Sequence, residues 1–297
     1  MMEDYSYEIL DLLKQYDGDT AAALLGERSA HCLYAFSPLR ENLFEWVELE
    51  PQARVLQLGS DYGSYTGLLA RRAGRVVVLD ARDENLEVNR LRHGSSERIR
   101  YVRGELLGQA AGPGKPGFEE YKPEAGACGT AGELLAEPFD YVFTAGLLGQ
   151  YKKEEALAVL RRAADFLRPG GTLFAAAENE AGVRYWMGAQ PFETAFLEAE
   201  FRELFETLAR ESGGEVMVYY PVPDYRYPAA VYSDAWLPKT GDVTNISARL
   251  DGPGFWFGSE EEAMTKACQN GEFTKFANSF LGMYKKADAG DRMRGQL

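Results

Sequence analysis

From residue 54 onward, short runs of apolar residues alternate with stretches in which apolar positions recur every three or four residues. The first kind suits strands buried on both faces, and the second suits helices laid over them. Residues 55–58 (VLQL), 76–80 (VVVLD), 99–102 (IRYV), 139–144 (FDYVFT), 172–177 (TLFAAA) and 215–220 (EVMVYY) read as strands. Residues 65–73, 82–93, 153–167 and 192–211 read as helices, the third closed by Arg168-Pro169-Gly170-Gly171. Ahead of them, residues 4–26 read as two short helices broken at Asp17-Gly18-Asp19, and His31 to Phe36 as a connector. Ser37-Pro38 then opens another helix, with Ser37 as cap, Pro38 in its first turn, and Leu39, Leu43 and Trp46 on one face. Such an alternation predicts an α/β fold with a mostly parallel sheet, in residues 51–297, capped by helices in residues 1–50. One stretch breaks the pattern. Residues 108–137 are rich in glycine and proline and poor in large apolar residues, which predicts a mobile insertion that contributes little to the core.

The stretch RVLQLGSDYGSYTG, residues 54–67, followed by VVVLD, gives strand, glycine turn, helix, strand and acid. Asp80 lies 21 positions after Gly59, where a Rossmann-like unit places the carboxylate that accepts hydrogen bonds from ribose hydroxyls. The order predicts a nucleoside site. A dinucleotide fingerprint needs G-x-G-x-x-G so that the backbone can approach a pyrophosphate, yet the second glycine position holds Asp61. Like charges about 4 Å apart cost up to about 4 kcal/mol at an intermediate effective dielectric. A ligand with no phosphate and with cationic groups, such as S-adenosylmethionine, tolerates an acid there.

Composition narrows the partners. The 297 residues are 45% hydrophobic and 26% charged, as in an ordinary globular protein, and the net charge is −14. No cluster of lysine or arginine long enough to follow a phosphate backbone interrupts that charge, which argues against nucleic acid and anionic membranes. A small molecule, a neutral sugar or a peptide fits better. No apolar run reaches bilayer length and the acidic start, MMEDYSYEIL, is unlike a signal peptide, so a cytoplasmic location is expected. Cys32, Cys128 and Cys268 are odd in number and widely spaced, as reduced thiols are, and with only His31 and His93 a zinc site is not expected.

The glycine stretch resembles the first motif, E-x-G-x-G-x-G, of the class I S-adenosylmethionine-dependent methyltransferases, with Gln57 in place of the acid and Asp61 in place of the central glycine. LRPGGTLF, residues 167–174, is similar to another stretch of that family. The segments SPLREN (37–42), ENEAGVRYW (178–186) and the proline-tyrosine run from Pro221 to Asp234 resemble a narrower bacterial group within it. The resemblance implies a Rossmann-like, doubly wound sheet ending in an antiparallel hairpin whose last strand is drawn from residues 276–284, with a second insertion, residues 235–273, on the substrate side. It implies S-adenosylmethionine as cofactor, held by Gly59, Ser60, Asp61 and Gly63 of the turn, by Asp80 and Ala81, by Glu105 and Leu106 beside adenine, and by Ala145 and Gly146 at the fourth motif. That motif, AGLLGQY, lacks the Asn/Asp-Pro-Pro-Tyr signature of enzymes that methylate amino groups of adenine, cytosine or glutamine. At the carboxyl end of the parallel sheet, where ligands bind in this architecture, Asn179, Tyr185, Trp186 and Tyr225 are candidates for the substrate wall, with hydrophobic packing the alternative for Tyr185 and Trp186.

The expected activity is methyl transfer to a small molecule or saccharide, by O-methylation, with no obligatory metal. A hydroxyl acceptor benefits from a general base, for which Glu178, Asp224 and His31 are the candidates. Two rivals remain: a protein of this fold that has kept binding and lost turnover, motivated by Gln57, Asp61 and the missing signature, and a nicotinamide oxidoreductase with an altered loop.

Overall fold

A computed structural model describes residues 5–107, 118–121, 131–190, 192, 194–244 and 257–288, without the side chain of Glu133. Three helices come first: α1 (Ser6–Gln15), α2 (Thr20–Gly26) and α3 (Ala30–Phe36). Asp19 caps α2 through the Ala21 and Ala22 amides, and Ser29 caps α3 through the Cys32 amide. The connector expected at 31–36 is therefore helical, because its small residues Cys32 and Ala35 let Leu13, Ala23 and Phe36 close into one apolar cluster with Val88. A single 3-10 turn, Pro38–Glu41, leads into α4 (Asn42–Glu45). Of the expected face, Leu43 is buried while Leu39 and Trp46 are exposed, and Phe44 takes the inward position.

The sheet follows. β1 (Arg54–Leu58), α5 (Thr66–Arg72), β2 (Arg75–Asp80), α6 (Asp83–His93) and β3 (Ile99–Arg103) form the first half. After β4 (Glu119–Glu120) and α7 (Gly132–Ala136) come β5 (Phe139–Ala145), α8 (Ala156–Asp165), β6 (Leu167–Glu178), α9 (Val183–Trp186), α10 (Glu198–Ser212), β7 (Gly214–Val222) and β8 (Ala230–Ser233). Helices α11 (Glu260–Gln269) and α12 (Phe273–Phe276) precede β9 (Ser279–Lys286). The strands line up as β4-β3-β2-β1-β5-β6-β9-β7-β8. β3, β2, β1, β5 and β6 are parallel, and β9 enters antiparallel between β6 and β7. This is the mostly parallel, Rossmann-like sheet with an antiparallel end that the sequence predicts. Its strand order reverses between β1 and β5, the point where ligands bind in open sheets of this kind.

Both faces of the central strands are covered, so Val76, Val77 and Val78 of β2 are all buried. One face packs on α8 and α10 through Leu56, Val77, Val142 and Phe205, and the other on α4, α5 and α6 through Val55, Val78, Phe143 and Leu86.

The stretch 108–137 differs from the expected loop wherever it is described. Glu120 pairs with β3 and binds Arg100, Tyr121 bonds to Glu87, and Phe118, Leu134 and Leu135 pack against the core. Its few large side chains are the ones that dock. Residues 108–117 and 122–130 lie outside the described residues, as do 245–256 of the second insertion, whose described part carries α11. The helix expected from residue 192 starts at Glu198, because Phe196 instead forms a bridge with Asn179, its amide donating to the Glu178 carbonyl (3.0 Å). Residues 231–233, within the proline-tyrosine run, belong to edge strand β8. Among the described residues no helix is long and apolar enough to cross a membrane.

Candidate functional site

The turn after β1 is closed from behind by side chains. Gly59 (φ 81°), Asp61 (φ 47°) and Tyr62 (φ 55°) adopt the left-handed region, turning the chain sharply away from the strand. Gln57, fully buried, donates through Nε2 to the carbonyls of Gly59 (3.1 Å) and Ser60 (3.0 Å), and its Oε1 accepts from Thr66 Oγ1 (2.6 Å). Asn89 Nδ2 donates to Ser60 Oγ (3.0 Å) and Thr66 Oγ1 (2.8 Å). A carboxylate at position 57 has no donor and would face two carbonyls, so the amide is what this closure requires. Gly63 (φ 73°) also serves packing: a Cβ there would lie 3.0 Å from the Asn89 side chain, and its carbonyl accepts from Nε2 of His93 (2.8 Å).

Asp80 ends β2, buried. Its Oδ2 accepts from the Ser60 amide (2.7 Å), its Oδ1 from the Arg82 amide (2.9 Å), and Asn85 Nδ2 lies 3.3 Å from both oxygens. Burial raises its carboxyl above the usual range, while these donors pull it back. Ser6 of α1 in turn holds Asn85 (2.8 Å), so the helical cap reaches the acid through one intermediary.

Asp61 is not the isolated charge the sequence suggests. The guanidinium of Arg40 grips it, with Nη2–Oδ2 at 2.6 Å and Nη1–Oδ1 at 3.2 Å, while Ser64 Oγ (3.0 Å) and Tyr34 OH (3.3 Å) donate to it as well. Arg40 also lies 3.9 Å from the Tyr34 ring centroid. This pairing weakens the electrostatic case against a pyrophosphate, since Arg40 offsets much of the charge of the loop acid. What remains is steric: a side chain stands where a dinucleotide fingerprint needs bare backbone.

At the end of β6 lies a second network, buried except for the half-buried Tyr185. Tyr185 OH donates to Glu178 Oε2 (2.9 Å), and Arg226 Nη2 lies 3.5 Å from Glu178 Oε1 and 3.1 Å from Asp224 Oδ2. Arg184 Nη1 reaches the same Asp224 oxygen (3.1 Å), and the amides of Arg226 and Tyr227 donate to Oδ1. Burial first, and the Glu178 carboxylate next, push Asp224 upward against the pull of Arg184. Two acids and two guanidinium groups thus share one buried site.

These networks flank a cleft of about 480 Å³ at the carboxyl ends of β1, β2, β5 and β6. Among the residues proposed from sequence, Gly59, Asp61, Asp80, Ala145, Gly146, Glu178 and Tyr225 line it. A smaller recess adjoins it, where Gly59 and Asp80 meet Ala81, Glu105 and Leu106. A Cβ built on Gly59 would meet nothing nearer than Leu147 Cδ1 at 3.9 Å, so that backbone is open to a ligand. One built on Gly146 would sit 2.9 Å from Tyr225 OH, which ties the fourth-motif glycine to the placing of that tyrosine.

Other expected residues stand elsewhere. Ser60 and Gly63 lie behind the wall rather than in it. Asn179 spends its amide on the carbonyls of Lys275 (2.8 Å) and Ala277 (2.6 Å) and its oxygen on the Ala181 amide, which makes it a clamp from the end of β6 to the end of α12. Trp186 is 66% exposed with its indole bonded to the Ala181 carbonyl, and Tyr185 acts from behind through Glu178. Asp224 has both oxygens occupied and does not line the cleft. His31 stacks on Tyr5 (centroids 3.4 Å apart) in the helical cap, away from the cleft lining. Of the three base candidates Glu178 alone faces the cleft.

Sequence reading missed Arg40, Tyr34, Asn85, Phe192 and Arg226. Arg40 and Arg226 stood inside segments already singled out, SPLREN and the proline-tyrosine run, but nothing in a sequence tells a buried arginine from a solvated one. Among the described residues no group of His, Cys, Asp and Glu is arranged to hold a metal.

No protein-family profile and no curated protein matches the chain. Solved structures do resemble it. The N-methyltransferase NodS from Bradyrhizobium japonicum WM9 is 14% identical over 85% of this chain and 98% of that one, with a TM-score of 0.46. DhpI, solved with SAH, is 13% identical over 94% and 97%, with a TM-score of 0.46. The [4+2]-cyclase SpnF is 14% identical over 84% and 80%, with a TM-score of 0.47. At this distance the functional reading rests on the site itself.

Proposed function

We propose that this protein transfers a methyl group from S-adenosylmethionine to a hydroxyl of a small molecule or saccharide. The observation that supports the reading is a cleft with an adjoining recess, in which residues suited to a nucleoside stand at one end and a carboxylate suited to act as a base stands at the other. The open backbone of Gly59, the carboxylate of Asp80, and the recess formed by Ala81, Glu105 and Leu106 stand at the first. Glu178 stands at the second.

The residues fit the cofactor. Asp80 already accepts from backbone amides, and its position beyond β2 suits hydrogen bonds from ribose hydroxyls. Glu105 lies at the recess where adenine's amine would be read. When bound, the cofactor supplies a methyl group already activated on a sulfonium, so the protein's share is alignment and exclusion of water.

Glu178 is the group placed to take the acceptor's proton. Tyr185 fixes one of its oxygens, leaving the carboxylate oriented toward the cleft, and Phe192 and Tyr225 offer aromatic walls beside it. Aromatic faces next to a carboxylate and a guanidinium suit a sugar, whose CH faces stack while its hydroxyls bond.

The test is release of S-adenosylhomocysteine across a panel of sugars, small alcohols and peptides, with Glu178→Gln as control. Turnover on a hydroxyl acceptor that falls at least a hundredfold in Glu178→Gln is the expected result. No turnover with any class, while the cofactor still binds, would favour the binding-module reading.

A further inference from the structure

Gln57 is wholly engaged behind the glycine turn, so the position where the resembling family carries an acid offers no charge to the cleft. The acid of the turn that does line the cleft is Asp61, its side chain 12% exposed. We propose that Asp61 receives the α-ammonium of the cofactor's amino-acid end, with Arg40 as the positioning residue behind it. The inference rests on the S-adenosylmethionine reading given above.

Three features support it. Arg40 is 3% exposed and is absent from the cleft lining, whereas its partner carboxylate reaches that lining, so the ion pair stands end-on with its negative end toward the ligand. A dipole in that orientation attracts an ammonium without adding the net charge that would repel the carboxylate on the same amino-acid head. The carboxylate is also held in place before a ligand arrives: Arg40 grips both oxygens and Ser64 bonds to one of them. The longest of its bonds, from Tyr34 OH at 3.3 Å, comes from another cleft-lining residue and is the one an ammonium would most easily replace.

The experiment compares two ligands by calorimetry: S-adenosylhomocysteine and 5′-methylthioadenosine, which shares the nucleoside and thioether but lacks the amino-acid head. Asp61→Asn and Asp61→Gly are measured beside the wild type. Asparagine and glycine both tolerate the φ of 47° at this position, so neither adds backbone strain. The proposal expects each variant to bind S-adenosylhomocysteine tenfold or more weakly while its affinity for methylthioadenosine changes less than twofold. Equal losses for the two ligands in both variants would show that Asp61 only shapes the turn and would overturn the proposal. Unchanged or tighter binding of S-adenosylhomocysteine would overturn it as well. A wild-type protein that binds neither compound would remove the cofactor reading itself, and this inference with it.

Discussion

Glu178 and Asp224 lie in one network yet answer to different physics. Glu178 borders the cleft and is aligned by Tyr185, so Tyr185→Phe is expected to lower kcat by about tenfold, the order of one hydrogen bond of about 1.4 kcal/mol, with little change in cofactor affinity. Steady-state kinetics beside a cofactor titration separates the two. Asp224 pairs with two buried guanidinium groups, and Asp224→Ala would remove the carboxylate they share, at a cost of about 3–5 kcal/mol in stability, read by denaturant unfolding. Asp80 shows both what a sequence discloses and what it conceals. Its spacing from Gly59 makes it the candidate for the ribose acid, but nothing in that spacing discloses the structural bonds it makes. Here it is buried and accepts the amides of Ser60 and Arg82, so Asp80→Ala also loosens the glycine turn and is expected to cost about 1–3 kcal/mol of stability.

Helix α6 is the element that ties the turn to the helical cap. Asn89 and His93 hold its inner side, and Arg92 Nη1 donates to the carbonyls of Ala35 (2.8 Å) and Tyr62. Burial, then the neighbouring Arg92 charge, push His93 down to about 4, so it stays neutral in the folded protein and its Nε2–H donates to the Gly63 carbonyl. The unfolded chain takes up this proton below about 6.5 and the folded chain does not until about 4, so stability present above 6.5 is lost as pH falls through that window. The slope is up to about 1.4 kcal/mol per pH unit, and His93→Gln, which keeps a donor, should flatten it in urea titrations between those limits. None of this was legible from the α6 sequence, whose apolar positions are sparse. The sequence discloses the helix itself, but not the partners of its polar residues. In SPLREN, likewise, Ser37 as a cap was readable from local chemistry. Arg40 on Asp61, Glu41 on Arg71, and Asn42 on the Pro228 carbonyl each needed a partner far along the chain.

Across the whole molecule the parallel core was legible because the central strands are short, mostly apolar runs between turn signals. Entry of β9 between β6 and β7 leaves no mark on local pattern, and its place as an antiparallel strand came from resemblance alone. The described part of 108–137 departs from a loop because average composition hides a few docking residues. Replacing residues 110–135 with a Gly-Ser linker removes Tyr121 and Leu134 from their packed sites and uncovers β3 at the sheet edge, so a melting temperature lower by several degrees is expected. The account as a whole depends on the cleft being a nucleoside site governed by Asp80. Its most direct test is calorimetric titration of S-adenosylmethionine into the wild type and into Asp80→Asn, a change that keeps the side chain's size. One site per chain in the wild type, weakened about tenfold to a hundredfold in the variant while both proteins remain folded, is the result predicted from the loss of charge-assisted bonds to ribose. Absence of binding in the wild type, or equal affinity in the two proteins, would contradict it.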